Sequence, residues 1–445
     1  MVMKNELWKD KLIQAVLNAA DPKKAILTAF QPLNHKIPGI DQLRELGYQR
    51  LHLISIGKAA IPMAEGLLKK FGEKITGGVI VPKASYEMEI ETWQQRFTIL
   101  PSAHPVPNER SIAAGKAIFS YLSNLTATDF VYYLISGGGS SLVTVPETGI
   151  SLNDMQAVNQ LLLDSGATID EINGIRKHLD QIKGGKLIQK TYPAGFSTLI
   201  LSDVLGDPLD VIASGPTVFD PSTYQDAWDT IERYTLQQRM PKSVIRFIQE
   251  GMAGLHLETL KQALQNQRIW PAQIIGGNRN SLIAASEAAA LSGLKPVILS
   301  DHLIGEARVA GEWMVNQAKA YLNVSTKVLG DICFLAGGET TVTIQGNGKG
   351  GRNLELALAV VKPLSEMKCA YFCSFATDGE DGPTDAAGAW VDQDTYETAK
   401  KLGLNPEVYL ARNDSYTFFE KLSQLIRTGS TGTNVNDVCF LIVRD

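Results

Sequence analysis

The sequence predicts a protein of the α/β class, in which a parallel-sheet domain is followed by a second, smaller mixed α/β domain. Short apolar runs recur along the chain, and each ends in Gly or Asp before a helical stretch begins. These runs are continuously apolar rather than alternating, which is typical of parallel strands covered on both faces. The last third of the chain has more strand and fewer intervening helices, and this favours a mixed sheet there.

The predicted strands can be followed in chain order. In the first two thirds they are LHLISIG (51–57), GGVIVP (77–82), FVYYLISG (130–137), STLILSDV (197–204), QIIGG (273–277) and PVILSD (296–301). In the last third they are CFLAGGETTVTI (333–344), AYFCSFATDG (370–379), AGAWVD (387–392) and DVCFLIV (437–443). The segment 225–270 is predicted to be helical and free of strands. We therefore place a domain boundary near residue 240, to within tens of residues, which gives domains 1–240 and 241–445.

Composition narrows the class of ligand. The 445 residues are 44% hydrophobic and carry a net charge of −5, and no run of Lys or Arg suggests a nucleic-acid partner. No apolar stretch reaches the ~18 residues of a membrane helix, and the first residues lack the apolar core of a signal peptide. The four cysteines form no CxxC pair, which is typical of a reduced, cytoplasmic protein. A small molecule is the favoured ligand.

Lys58 is the first candidate site residue. In SIGKAA it follows a predicted strand and precedes a predicted helix, and ligands of open α/β sheets gather at such strand ends. A cation at a helix N-terminus opposes the helix dipole by ~0.3–1 kcal/mol unless an anion lies between them. Lys58 thus indicates a bound anion, and the alternative is a solvated surface lysine.

A glycine-rich loop follows the strand FVYYLISG. Its backbone N–H groups can form a concave anion site, and two serine hydroxyls can add donors. A tight turn with close packing explains three glycines about equally well. Neither GxxxxGK[ST] nor GxGxxG is present. The predicted phosphate-binding residues are Gly137, Gly138, Gly139, Ser140 and Ser141.

The segment NGIRKHLDQIKGGK (173–186) is predicted to be one basic helix carrying Arg176, Lys177, Lys183 and Lys186. Such a stripe is usually a solvated face, and cations near the end of a helix favour its dipole without any ligand. Asn173 and Lys177, which lie nearer the predicted start, are the better candidates for contact with a phosphate.

Acidic residues follow two other strands. They are Asp203 and Asp207 in LSDVLGDP, and Asp378 and Asp381 in ATDGEDGPTDAAGA. Turn formation is the usual reason for aspartate in such loops, but Mg²⁺ bound to a nucleotide also takes one or two carboxylates.

A further glycine-rich loop, GNGKGGRN, places Arg352 at the start of a predicted helix. Like Lys58, this arginine is a cation where the helix dipole favours an anion. Backbone donors, magnesium carboxylates and such cations are what phosphoryl transfer needs.

The ordered set of motifs resembles the class II glycerate 2-kinases, the family with a C-terminal MOFRL domain. These motifs are SIGKAA, SAHPVPN, LISGGGSS, NGIRKHLDQIKGGK, LSDVLGDPLDVIASGPT, GGETTV, GKGGRN, ATDGEDGPTDAAGA and TGTNVND. The resemblance implies a Rossmann-like, doubly wound N-terminal domain and an active site in a cleft between the domains. It also implies transfer of phosphate from ATP, with Mg²⁺, to the 2-hydroxyl of D-glycerate.

By the same resemblance, Lys58 and Arg352 are the expected catalytic cations and Asp378 the active-site acid. Magnesium would be held by some of the acids, with Asp203, Asp207 and Asp381 the predicted ligands. The glycine loop would hold ATP phosphates, or instead the glycerate carboxylate. An NAD(P)H-dependent hydroxypyruvate reductase and a non-catalytic phosphate-metabolite sensor are the alternatives, and the chain could pair as a homodimer.

Overall fold

The structure is a computed structural model that describes residues 2–31, 37–84, 95–265, 267–324 and 330–444. The chain forms two compact units. The Rossmann unit contains Pro22–Ser202 and Asp207–Ile275, and the mixed-sheet unit contains Met1–Asp21, Asp203–Gly206 and Gly276–Asp445. The domain boundary near residue 240 stays a prediction.

Helices and strands alternate through much of the chain. The strands are β1 Arg50–Ile56, β2 Ile75–Val81, β3 Phe97–Ile99, β4 Asp129–Ser136, β5 Gly195–Leu201, β6 Ile269–Gly276, β7 Lys295–Leu303, β8 Ile332–Gly338, β9 Ala370–Ala376, β10 Gly388–Asp392, β11 Leu425–Ile426 and β12 Asp437–Val443. The helices are α1 Val2–Ala20, α2 Pro22–Ala29, α3 Ile40–Glu45, α4 Ala60–Phe71, α5 Glu109–Leu122, α6 Gly139–Leu142, α7 Leu152–Asp164, α8 Ile169–His178, α9 Lys186–Thr191, α10 Tyr224–Arg233, α11 Lys242–Met252, α12 Asn278–Leu291, α13 Ala307–Val324, α14 Arg352–Ser365, α15 Thr395–Lys401, α16 Pro406–Ala411 and α17 Ser415–Leu422. Across the described residues, none of these helices has both the length and the apolarity needed to cross a bilayer.

The Rossmann unit is built on a six-stranded sheet in the order β3-β2-β1-β4-β5-β6. The pairs β2/β3, β1/β2, β1/β4 and β4/β5 are all parallel. Every residue of β4 and β5 is buried, as expected for parallel strands covered on both faces. This strand order is that of the doubly wound dinucleotide-binding fold, so the predicted fold class is confirmed.

The strand order also fixes where ligands should bind in this unit. The chain moves outward from β1 to β2 and β3, and then returns to place β4 on the other side of β1. In this fold, ligands bind in a crevice beyond the carboxyl ends of the strands at such a switch point. Lys58 follows β1 and the glycine loop follows β4, so both predicted anion-binding segments lie at the switch point.

The mixed-sheet unit contains a second six-stranded sheet, in the order β11-β10-β9-β12-β8-β7. Only β7 and β8 pair in parallel, whereas the other neighbours are antiparallel. Side chains alternate across the strands: Phe334 and Leu441 pack with α13 and α14 on one face, and Leu335 and Phe440 pack with α1 and α12 on the other. The predicted mixed sheet is confirmed.

The prediction of one basic helix over 173–186 is wrong. Helix α8 ends at His178 and α9 begins only at Lys186. Between them, Gly184 and Gly185 adopt left-handed backbone conformations, with φ of 59° and 76°, which an α-helix does not contain. Arg176 therefore belongs to the last turn of α8, whereas Lys183 lies outside any helix.

Candidate functional site

In the Rossmann unit, the loops after β1 and β4 are bonded directly to each other. The N–H of Lys58 donates to the carbonyl of Gly137 at 2.9 Å, and the N–H of Ala59 donates to the Ser136 hydroxyl at 3.0 Å. A Cβ on Gly57 would lie 2.1 Å from the Ser136 Oγ, which no side chain could accommodate. Glycine at position 57 is therefore required by the close approach of the two loops.

Gly138 is the centre of the triple glycine, and its φ of 80° lies in the left-handed region. A Cβ at this position would lie 2.8 Å from His104 Cδ2 and 3.3 Å from Lys58 Cε. Close packing thus explains this glycine, and the packing partners are themselves ionisable side chains. Burial, with the nearby charges of Lys58 and Lys83, lowers the pKa of His104 to about 4, so the imidazole is neutral at pH 7.

A chain of hydroxyl and amide groups supports the glycine loop. The Ser214 hydroxyl donates to Asn173 Oδ1 at 2.9 Å and lies 2.9 Å from the Ser140 hydroxyl. Ser214 and the preceding Ala213 have φ of 60° and 51°, conformations that a non-glycine residue adopts only when its surroundings hold it there. Asn173 therefore reaches the predicted phosphate loop through Ser214.

The structure buries Lys177 between two carboxylates. Its ammonium donates to Asp210 at 2.9 Å and to Asp220 at 3.0 Å, and its side chain is 3% exposed. These contacts offset its charge within the protein. The predicted contact of Lys177 with a phosphate stays a prediction.

A cavity of about 620 Å³ adjoins the glycine loop. One wall contains Gly138, Ser140 and Ser141, and the lining includes the side chains of His104 and Arg176. Apolar lining residues are Pro105, Val106, Pro107, Met155 and Leu163. A cavity with an apolar wall and a few polar groups is typical of a small-molecule site.

In the mixed-sheet unit, Arg352 begins α14 as predicted. Its Nε and Nη2 atoms donate to the two oxygens of Asp437 at 2.5 and 3.1 Å, and Nη1 donates to Glu339 at 2.6 Å. Such a bidentate pair fixes the plane of the guanidinium, and the neighbouring carboxylates raise the pKa of Arg352 further above its usual range, against the effect of burial. Three of its five N–H donors are used in these bonds, which leaves two for a ligand.

Asp381 lies at the N-terminus of α14. Its carboxylate accepts from the backbone N–H groups of Asn353 at 3.0 Å and Leu354 at 2.8 Å, and the residue is 1% exposed. A Cβ on Gly351 would lie 2.4 Å from Asp381 Cγ, so this glycine lets the carboxylate reach the start of the helix. Burial raises the pKa of Asp381 to about 7 and that of Asp437 to about 6.

A second arginine–acid pair braces the same helix. Glu355 is 2% exposed and accepts from Arg308 Nη2 at 2.5 Å and from Asn413 Nδ2 at 3.0 Å. Glu355, Asn413, Arg352 and Asp378 all line a cavity of about 590 Å³ in this unit.

The remaining predicted acids lie in loops. Asp378 is partly exposed, and its carboxylate accepts from the N–H of Glu380 at 3.1 Å and lies 3.4 Å from Asn434 Nδ2. The carbonyl of Asp203 accepts from Asn436 at 2.9 Å, and Asp207 adopts a left-handed turn conformation with φ of 53°. Among the residues that the structure describes, no three His, Cys, Asp or Glu side chains gather as metal ligands.

Sequence reasoning missed several residues that line these two cavities or bond to Arg352. Glu339 and Asp437 lie within the motifs GGETTV and TGTNVND, and His104 within SAHPVPN, but spacing gave none of them a partner. Arg176 was assigned to a solvated helix face. Glu339 directly follows β8, so a predicted strand that ended at Gly338 would have placed it where the ligands of α/β sheets gather. Asp437 begins β12, and no such signal marks it.

Two family models match this chain. One, described as a domain of unknown function (DUF4147), matches residues 9–249. The other, described as the MOFRL family, matches residues 332–437.

Relatives and a solved structure match almost the whole chain. A glycerate 2-kinase of Pyrococcus horikoshii is 40% identical over 97% of this chain and 96% of its own length. A putative hydroxypyruvate reductase of Agrobacterium vitis is 37% identical over 97% of this chain and 93% of its own length. A crystal structure of a glycerate kinase (EC 2.7.1.31) from Thermotoga maritima superimposes with a TM-score of 0.86 at 37% identity, covering 99% of both chains.

Proposed function

We propose, because this chain belongs to the glycerate 2-kinase family with a MOFRL domain, that it transfers the γ-phosphoryl group of ATP to the 2-hydroxyl of D-glycerate. The products are 2-phosphoglycerate and ADP. The observation that carries this proposal is the 40% identity to a glycerate 2-kinase over 97% of the chain, since it spans both structural units and every proposed site residue. The geometry of each unit supplies a part that the reaction requires.

The Rossmann unit supplies groups suited to phosphate. Lys58 and the loop Gly137–Ser141 lie at the switch point of the sheet, where this fold binds ligands. Backbone N–H groups and serine hydroxyls of such a loop are donors to phosphate oxygens. The Lys58 ammonium would offset the charge that develops on the transferred phosphoryl group.

The mixed-sheet unit supplies an oriented arginine and carboxylates. Because Asp437 and Glu339 fix Arg352, its two remaining N–H donors are directed before a substrate binds, which favours transition-state stabilisation. Asp378, which lines the cavity of this unit, would accept the proton of the 2-hydroxyl. In the transfer, the hydroxyl oxygen forms a bond to Pγ, the bond from Pγ to the ADP oxygen breaks, and the hydroxyl proton leaves.

Magnesium fits the mixed-sheet unit better through Asp378 than through Asp381. Asp381 is buried and bonded to the start of α14, whereas Asp378 is partly exposed and lines the cavity. Mg²⁺ needs only one or two carboxylates, because water and phosphate oxygens complete its shell. When bound, it would neutralise phosphate charge. The assignments of Asp203, Asp207 and Asp381 stay predictions.

The test is phosphorus NMR of the product formed by the purified chain from D-glycerate, ATP and Mg²⁺. We expect the resonance of 2-phosphoglycerate and stoichiometric ADP. The 3-phospho isomer as the direct product, or no phosphorylated product, would contradict the proposal.

Hydroxypyruvate reduction is the second candidate, because a relative of similar identity carries that name and the sheet order suits dinucleotides. The segment after β1 reads GKAAIP and lacks the GxGxxG fingerprint of such sites. Oxidation of NADH by hydroxypyruvate in the absence of ATP, with no product from glycerate and ATP, would establish the reductase instead.

We also propose that the chain acts in the cytoplasm as a homodimer. All four cysteines are free, as is usual in a reducing compartment. Sedimentation equilibrium tests the dimer, and a mass of one chain at micromolar concentration would contradict it.

A further inference from the structure

Arg176 carries a partly buried charge that has no acidic partner among the described residues. Its Nε donates to the amide oxygen of Asn159 at 2.5 Å, and within the described part of the chain no carboxylate lies at ion-pair distance from it. Burial lowers the pKa of the guanidinium, but arginine keeps its proton in proteins. A cation that is partly withdrawn from water is less costly when an anion lies beside it, so we expect a ligand to offset the charge of Arg176.

The rest of the cavity does not offset this charge. Among the described residues that line it, none is an Asp or Glu. Lys183 also lines it, but Lys183 is bonded to the buried carboxylate of Asp180, so this pair is neutral. His104, with its pKa lowered to about 4, adds no charge at pH 7. The cavity thus keeps the single positive charge of Arg176.

Lys177, the next cation on α8, is neutralised by acids of the protein itself. Lys177, one position along α8, is bonded to both Asp210 and Asp220. Arg176 points instead to a cavity that also contains Gly138, Ser140 and Ser141. An uncompensated guanidinium beside hydroxyl groups is a site for an oxyanion, because its planar fork binds two oxygens at once.

We propose that Arg176 binds an oxyanion group of one substrate in this cavity, either the carboxylate of D-glycerate or a phosphate of ATP. This inference rests on the proposed function for the identity of the two substrates. Asn159 is a positioning residue, since its amide oxygen holds the guanidinium without cancelling its charge.

The experiment is calorimetric titration of the full chain with D-glycerate and, separately, with ATP, for the wild type and Arg176→Gln. Losing a hydrogen bond to a charged group should weaken binding of one probe by about ten- to a hundredfold. Weaker binding of glycerate alone identifies the carboxylate as the ligand, and weaker binding of ATP alone identifies a phosphate. In turnover, the KM of the same substrate should rise more than kcat falls.

Controls separate binding from folding. Arg246→Gln removes an exposed arginine of α11, whose side chain is 71% exposed, and should leave both affinities unchanged. Arg176→Lys keeps the charge and should restore part of the lost affinity. If Arg176→Gln leaves both affinities unchanged while turnover persists, the inference is wrong and the proposed function stands. If the wild type binds neither probe, the inference is overturned, and a separate lack of turnover would overturn the proposed function as well.

Discussion

The cavity of about 620 Å³ in the Rossmann unit and the cavity of about 590 Å³ in the mixed-sheet unit have opposite charge. The cavity of the Rossmann unit is lined by Arg176 and the neutralised Lys183 and by no acid among the described residues. The cavity of the mixed-sheet unit has one arginine, Arg352, and several acids, which are Glu339, Glu355, Asp378, Glu380 and Asp381. A positive cavity attracts phosphate and carboxylate groups, whereas an acidic one attracts a cation and tunes a proton acceptor. The units therefore supply different halves of the proposed chemistry.

Arg352 and Arg176 differ in how far the protein itself offsets their charge. Arg352 is held by Asp437 and Glu339, so its position is fixed and its charge is largely offset by the protein. Arg176 has an amide as its partner, so its charge is left for a ligand. The comparison predicts that loss of Arg352 affects mainly kcat, and loss of Arg176 mainly KM.

Arg352→Ala should have the largest effect. Arginines that stabilise a migrating phosphoryl group contribute roughly 10³–10⁵ to kcat, and we expect a loss of kcat at the lower end of that range. The variant also leaves the buried Asp437 without its cation, which should lower the melting temperature. Steady-state kinetics and thermal unfolding measure the two effects.

The matched control for Arg352 is Arg279→Gln, in the same unit. Arg279 pairs with Asp301 at 2.5 Å, and its side chain is 71% exposed, so this variant should keep wild-type kcat. A folded Arg352→Ala protein with unchanged kcat would remove Arg352 from the mechanism, and with it the contrast between the two arginines.

Lys58→Ala tests the corresponding role in the Rossmann unit. Removing one preorganised donor to developing charge costs roughly 10²–10³ in kcat, and we expect a loss of that size. Lys69→Ala, which changes an exposed lysine at the end of α4, should be silent. If the two variants have equal kinetics, Lys58 takes no part in the reaction, and the alternative of a surface lysine applies.

The strands and the glycine loops could be predicted because each depends on local sequence. Runs such as FVYYLISG are apolar throughout, and β4 lies at Asp129–Ser136 as predicted. The short strands β3 and β11, of three and two residues, have no comparable pattern. The basic helix was extended too far because Gly184 and Gly185 were read as its end, whereas α8 ends at His178, six residues before Gly184.

Partners distant in sequence could not be predicted. A bound anion near Arg352 stays a prediction, and the structure shows that three acids of the chain itself lie there: Asp381, Asp437 and Glu339. Likewise, Lys177 rather than Arg176 was predicted to contact a phosphate, because of its place on a predicted helix. Only tertiary structure shows that Asp210 and Asp220 neutralise Lys177, whereas no acid in the described part of the chain pairs with Arg176.

Asp378→Asn should weaken the apparent affinity of the enzyme for Mg²⁺. Removing one carboxylate from a hard-cation site should raise the Mg²⁺ concentration for half-maximal rate by about tenfold, and kcat at saturating Mg²⁺ should also fall if Asp378 accepts the hydroxyl proton. Asp394→Asn, which removes an exposed acid before α15, is the control. A Mg²⁺ titration that is superimposable for both variants would place the metal elsewhere.

The smallest expected effect concerns the charge balance around Arg352. Burial raises the pKa of Asp437 to about 6, even though Arg352 opposes the shift, and the usual value is ~3.9. The native state therefore binds a proton at this site more readily than the unfolded state between pH 4 and 6. In that window the contribution of Asp437 to the free energy of unfolding falls as pH rises.

Asp437→Asn removes this titration, so the free energy of unfolding of the variant should fall less steeply between pH 4 and 7 than that of the wild type. The fall over this range should be smaller by on the order of 1 kcal/mol. Denaturant unfolding at each pH measures it. Arg176→Gln is the informative companion, because the guanidinium is charged across the whole window and its loss should shift the level of the curve without changing its slope. Parallel curves for wild type and Asp437→Asn would mean that Arg352 neutralises Asp437 completely. The protein itself would then offset more of the charge of Arg352, which would sharpen the contrast with Arg176.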